Sequence, residues 1–294
     1  MTRLFLFLCL WLSLWAQNVL GSILAIDYGA DFIKASLFIK ASVKDKAKTP
    51  VIIGPAPLWR LTVYDSTGPR EFLVGLPHTT AGTLAGRGTR TYVAIDVSQK
   101  NGPFVYLKDA WRVDHEGIEQ EGKILAVLND NSGGGPVSSV PTLLCHGDVG
   151  AQVTLSQEEW NLQHPGVDPK DCRLKAHRHY RLVVKEVCLP MRDFKSSHDL
   201  IMLLLDCIEA HGQAYARKRL LHRDVSAGNV LILPKEEVVD GVIKLKRVGI
   251  LADWELAKRE VDPRTDDAPR QPDRTGTWQF TSAMALANPS KRIV

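Results

Sequence analysis

An α+β fold is predicted for this chain of 294 residues, with an antiparallel sheet in its first part and helices in its second. Two patterns carry that prediction. Short runs with apolar residues at alternate positions, broken by Gly, Pro and Ser, fill residues 58–108, as the two faces of a half-buried sheet require. The clearest period of three and four comes late, over residues 199–217. A 45% hydrophobic and 24% charged composition lets the chain bury one large core or two small ones.

In order, strands are expected at 58–64, 71–75, 91–96 and 104–108. A helix over 117–128 follows from Ile118, Ile124, Leu125 and Leu128, and ends before the Asn/Gly-rich loop 129–135. Residues 180–187 are apolar and β-branched, hence a strand. The helix at 199–217 rests on Ile201, Leu204, Leu205, Ile208 and Tyr215. Short strands at 230–233 and 248–251 are joined by a polar insertion, 234–246, which forms a surface loop or a hairpin.

The first 57 residues have a different character. Arg3, the apolar run 4–15 and the small residues Ala16, Gly21 and Ser22 read as a signal peptide over 1–21. The apolar run is shorter than the roughly 20 residues that cross a bilayer, so no stable membrane span is expected. A strand–turn–strand fragment occupies 22–45, and a Lys- and Pro-containing linker occupies 46–57. A net charge of +4, from 37 basic and 33 acidic residues, is too mild to call for nucleic acid. The five cysteines contain no CxxC pair, so those beyond Cys9 are read as ordinary buried thiols.

The chemistry is concentrated in His222-Arg223-Asp224-Val225-Ser226-Ala227-Gly228-Asn229, after the long helix and before a strand. An acid five residues before an amide is the spacing of a phosphotransfer loop. The carboxylate of Asp224 accepts or orients the attacking hydroxyl, and the amide oxygen of Asn229 helps to hold Mg²⁺. Asp253 ends the next strand within Gly-Ile-Leu-Ala-Asp-Trp-Glu, where an acid would bridge Mg²⁺ and the phosphates of ATP. Upstream, Lys108 on a strand and Glu121 on the following helix suit a phosphate-contacting Lys and the Glu that positions it, with Glu119 as the alternative. Gly86-Arg87-Gly88-Thr89 is a glycine turn able to cover phosphates with backbone N–H groups.

These motifs, with Leu107-Lys108-Asp109-Ala110-Trp111-Arg112 and Thr275-Gly276-Thr277-Trp278-Gln279-Phe280, resemble the fungal-type protein kinase family over residues 58–290. The resemblance implies a two-lobed protein-kinase-like fold. Its antiparallel-sheet N-lobe would span 58–188, and a helical C-lobe would start at 189 and be incomplete at 294. It implies ATP and Mg²⁺ as cofactors, protein substrates phosphorylated on Ser or Thr, and a catalytic set of Asp224, Arg223, Lys108 and Glu121. It further implies that Glu186 to Cys188 form the hinge beside adenine and that Thr277 steadies Asp224. Gly86, Gly88, Lys108, Glu186, Cys188, Asn229 and Asp253 would then bind the nucleotide, with Asn229 and Asp253 on the metal.

Three departures from that pattern stand out: Ser226 replaces the loop Lys of many Ser/Thr kinases, Trp254-Glu255 replaces Phe-Gly, and Ser282-Ala283-Met284 replaces Ala-Pro-Glu with ten residues following. The resemblance implies that helices completing the larger lobe are missing, and the expected consequence of that is exposed apolar surface on the 199–217 helix and marginal stability. A catalytically impaired ATP-binding scaffold and an inactive fusion product are the alternatives. The fusion reading arises because residues 23–40, behind a signal-like start, resemble the opening of ER-lumenal heat-shock chaperone ATPases, which implies Asp27 and Gly29 in a phosphate-binding turn. The signal-like start points to the ER and the kinase resemblance to the cell interior.

Overall fold

The structure, a computed structural model, describes residues 58–79, 88–99, 102–115, 118–172, 174–239 and 242–259. The expected signal peptide, hairpin fragment and linker lie outside the described residues, as do Gly86 and Thr277. The fold is mixed α/β, with a large antiparallel sheet and few helices. In chain order the elements are β1 (Trp59–Asp65), β2 (Gly68–Val74), β3 (Arg90–Asp96), β4 (Phe104–Val113), α1 (Glu121–Asn129), β5 (Leu143–Val153) and α2 (Ser156–Gln163). They continue as β6 (His177–Val184), β7 (Leu189–Pro190), α3 (Ser197–Lys218), β8 (Leu220–Leu221), β9 (Val230–Val239), β10 (Val242–Leu251) and β11 (Lys258–Arg259). These residues form two compact units.

The first unit comprises the described residues up to Trp111 with Cys145–Gln152 and His179–Val183. It carries the six-stranded sheet, in the order β1-β2-β3-β4-β6-β5. Antiparallel registers such as Leu61↔Phe72, Leu73↔Ile95 and Tyr92↔Leu107 bring the alternate apolar residues of successive strands onto shared faces. Val63, Phe72, Val74, Ala94, Val105, Leu107 and Val183 are buried there. β5 buries only Cys145 and shows no clean alternation, and another backbone passes close to it at one point. A Cβ added to Gly147 would lie 1.7 Å from the carbonyl oxygen of Tyr64, so this position admits only glycine.

The second unit comprises Arg112–Leu144, Val153–Arg178 and the described residues from Val184 on. Its sheet runs β10-β9-β7. The expected strands at 230–233 and 248–251 extend into one hairpin registered from Val230↔Leu251 to Val239↔Val242, so the insertion takes the hairpin form of its two expected alternatives.

Helix α3 begins at an N-cap, where the hydroxyl of Ser196 accepts from the Asp199 amide at 3.1 Å, and ends at Arg219 in a left-handed conformation. Its buried stripe is Leu203, Cys207, Ala210 and Ala214. Most of the residues whose period predicted the helix point outward: Ile201 is 57% and Ile208 66% exposed. The small buried stripe lets β10 lie close, since a Cβ on Gly249 would come within 2.2 Å of the Leu203 carbonyl oxygen. The Gly249 amide donates to the Asp206 carboxylate at 2.7 Å in the same contact.

Helix α1 starts at Glu121 rather than 117, and α2, which buries no residue, offers no apolar stripe for a period to report. Among the described residues no helix is long and apolar enough to cross a membrane. The four described cysteines are free thiols, and burial pushes Cys145, Cys188 and Cys207 up to about 12.

Candidate active site

The loop after β8 is built around a buried histidine. His222 has no exposed surface, and the ring nitrogens have distinct partners. Nδ1 accepts from the Asp224 amide at 3.2 Å, which leaves the proton on Nε2 to donate to the Ala252 carbonyl at 2.9 Å. Burial pushes His222 below the usual histidine range, against the opposing pull of its bond to Ala252 and the nearby Asp253 and Asp224, so the ring is kept neutral. One imidazole therefore ties the start of the loop to the strand end that leads into Asp253.

The acid and amide of the loop are also joined directly. Asn229 donates through Nδ2 to the Asp224 backbone oxygen at 2.7 Å and to its carboxylate at 3.2 Å. The amide nitrogen is thus committed inward, which leaves Oδ1 as the acceptor atom of the Asn229 side chain. The Asn229 carbonyl accepts from Ala252 at 2.8 Å, one residue before Asp253. Asp224, Asn229 and Asp253 are consequently held through a continuous set of short bonds.

Two non-glycine residues here have left-handed backbones, Arg223 at φ 70° and Asp253 at φ 60°. Such conformations cost about 1–3 kcal/mol each and persist where surrounding structure fixes them. Trp254 provides that fixation at Asp253. It is fully buried, meets the His222 ring edge-on at 4.5 Å, and donates its indole N–H to the Leu251 carbonyl at 2.8 Å. Its backbone N–H donates to Glu121 at 3.2 Å. The Arg223 guanidinium reaches the Leu256 carbonyl at 3.5 Å.

Glu121, the first residue of α1, is 5% exposed and lies with Asp253 and Glu255 in a group in which one carboxylate oxygen from each lies within 4.8 Å of the others. Glu119, the alternative to Glu121, is instead ion-paired with Arg259 at 3.0 Å. An all-oxygen set of Asn229 Oδ1 and the Asp253 carboxylate suits a hard divalent cation such as Mg²⁺. Sequence reasoning did not assign roles to Glu255 or His222. The glycine-to-glutamate departure was the available signal for the first, and the place of His222 at the head of the loop motif was the signal for the second, although its bridge to Ala252 is visible only once both strand ends are placed.

Lys108 lies on β4 and Gly88, at φ 56°, precedes β3 in the first unit. Glu186 and Cys188 belong to the second, where both carboxylate oxygens of Glu186 accept from Thr142, from its amide and its hydroxyl, each at 2.7 Å. The side chain of Glu186 is therefore occupied in holding the backbone.

A large antiparallel sheet bearing a strand lysine, followed by a long helix and an Asp–Asn loop tied to a second acidic strand end, defines a protein-kinase-like chain. The match to the family model "Fungal protein kinase" covers residues 65–291, and the chain belongs to that family. A comparison with curated proteins finds no match.

Proposed function

We propose that the protein is a Mg²⁺- and ATP-dependent kinase that transfers the γ-phosphate to Ser or Thr of protein substrates. The observation that carries this reading is the bonded set of Asp224, Asn229, His222 and Ala252, which ties the loop acid and amide to the strand end just before Asp253. Asp224 would accept the proton of the attacking hydroxyl, Asn229 and Asp253 would hold Mg²⁺, and Arg223 and Thr277 would steady the loop. Bound Mg²⁺ supplies neutralisation of phosphate charge. Lys108 would contact the phosphates and Glu121 would position it, the turn with Gly86 and Gly88 would cover the phosphates, and the backbone of Glu186 to Cys188 would face the base. The two-lobe division at residue 188 belongs to this reading.

A catalytically impaired scaffold is favoured by one observation: Ser226, 7% exposed, stands where many Ser/Thr kinases carry a Lys toward the γ-phosphate. Calorimetry of ATP binding and radiolabelled phosphate transfer with the full chain, Asp224→Asn and Lys108→Ala separate the two readings. Transfer by the wild type that Asp224→Asn abolishes establishes the kinase. ATP binding without transfer establishes the scaffold, and absence of binding by a folded chain overturns both.

A further inference from the structure

The segment 185–188 and helix α1 are far apart in sequence, yet a run of hydrogen bonds within the second unit joins them. Thr142 is its centre. The Thr142 amide and hydroxyl each donate to one carboxylate oxygen of Glu186 at 2.7 Å, and the Thr142 carbonyl accepts from the Lys185 amide at 2.9 Å. All three polar groups of one threonine are thereby spent on two adjacent residues. On either side of Thr142, Asn129 closes the other half: its Nδ2 donates to the Pro141 carbonyl at 3.1 Å and its Oδ1 accepts from the Leu143 amide at 2.7 Å. Asn129 is the last residue of α1, whose first residue is Glu121. Five side-chain or backbone bonds therefore run from the helix of Glu121, through residues 141–143, to the backbone of 185–186.

We propose that Glu186 is a positioning residue, and that the Asn129–Thr142–Glu186 clasp fixes segment 185–188 against helix α1 so that this backbone presents a set arrangement to the base of a bound nucleotide. The proposal rests on the nucleotide-binding reading above. A carboxylate accepting two bonds from one residue fixes direction as well as distance, whereas a residue holding the base with its own side chain would keep that side chain for the ligand. Because the links are short and contiguous, loosening at Glu186 is transmitted to the Leu143 amide and to the C-terminal turn of α1, in the manner of a packed hydrogen-bond network. Asn129 and Thr142 take no part in the catalytic set, so their substitution probes positioning alone.

The test is amide hydrogen exchange of the full chain without nucleotide, together with an ATP titration in the presence of Mg²⁺ and a thermal melt. It compares the wild type with Glu186→Ala, Glu186→Gln, Thr142→Val and Asn129→Ala. Glu186→Ala and Thr142→Val are expected to speed exchange of residues 185–188 at least tenfold, to speed exchange at Leu143 and the last turn of α1, and to raise the ATP dissociation constant about fivefold with little change in melting temperature. Glu186→Gln, which keeps an acceptor, should recover part of each effect. Unchanged exchange at Leu143 and α1 in Glu186→Ala and Thr142→Val overturns the clasp, with Asn129→Ala, which removes the direct acceptor of the Leu143 amide, as the positive control. Exchange that changes as expected in a chain whose wild type binds no ATP keeps the clasp and overturns only the nucleotide reading.

Discussion

At the scale of single residues, the loop depends on which atoms carry protons. On the proposed reading Asp224→Asn preserves shape and removes the base, so phosphate transfer should fall about 10²–10⁴-fold while ATP binding is retained, read by parallel rate and calorimetric measurements. His222 makes a separate prediction. Its Nδ1 must accept from the Asp224 amide, and burial holds its folded pKa below that of the unfolded chain. As pH falls below about 6.5, the unfolded chain binds a proton that the folded chain refuses, so stability drops until the folded pKa is reached and is flat beyond it. Urea unfolding at pH 7.5 and 5.5 should show a larger loss for the wild type than for His222→Asn, and an equal loss would show that His222 does not titrate across folding. That Asp224 and Asn229 meet, and that the strand end before Asp253 meets Asn229, was legible in the spacing of the sequence. The histidine bridge and the occupied side chain of Glu186 were not, because each depends on a partner 30 or more residues away.

At the scale of elements, short apolar runs revealed β1 to β4, although only β4 buries alternate residues while β2 and β3 bury consecutive ones, and the hairpin of β9 and β10 showed because its ends are apolar. The long helix was found through residues that mostly point outward, and its buried stripe of Leu203, Cys207, Ala210 and Ala214 is too small-featured to stand out in a hydropathy pattern. That stripe has a consequence. Gly249 sits where a Cβ would be 2.2 Å from a main-chain oxygen and 3.1 Å from the Cβ of Asp206, and neither can move without shifting the helix. Gly249→Ala should destabilise the folded chain by about 1–3 kcal/mol through overpacking, seen as a lower urea midpoint. Gly212, on the same helix with nothing within 4 Å of an added Cβ, is the control: Gly212→Ala should leave stability unchanged or raise it by about 0.5–1 kcal/mol, as an alanine in a helix interior does.

At the scale of the whole molecule, the site and the stability of the fold are linked by mass action. A ligand that binds only the folded chain adds RT ln(1 + [L]/Kd), about 2.7 kcal/mol when the ligand is at one hundred times its dissociation constant. For a chain of this length each kcal/mol moves the melting temperature by roughly 2–4 °C. Saturating ATP with Mg²⁺ should therefore raise the melting temperature by about 5–10 °C. Asp253, held in a left-handed conformation beside Glu121 and Glu255, would gain most from a cation, because three carboxylates that each bring one oxygen within 4.8 Å of the others repel one another until positive charge arrives. ATP with EDTA should accordingly give only a small part of the shift, and Asp253→Asn should lose most of the Mg²⁺-dependent part. A shift of equal size with and without Mg²⁺ would mean that the nucleotide is held by contacts in which Asn229 and Asp253 bind no metal.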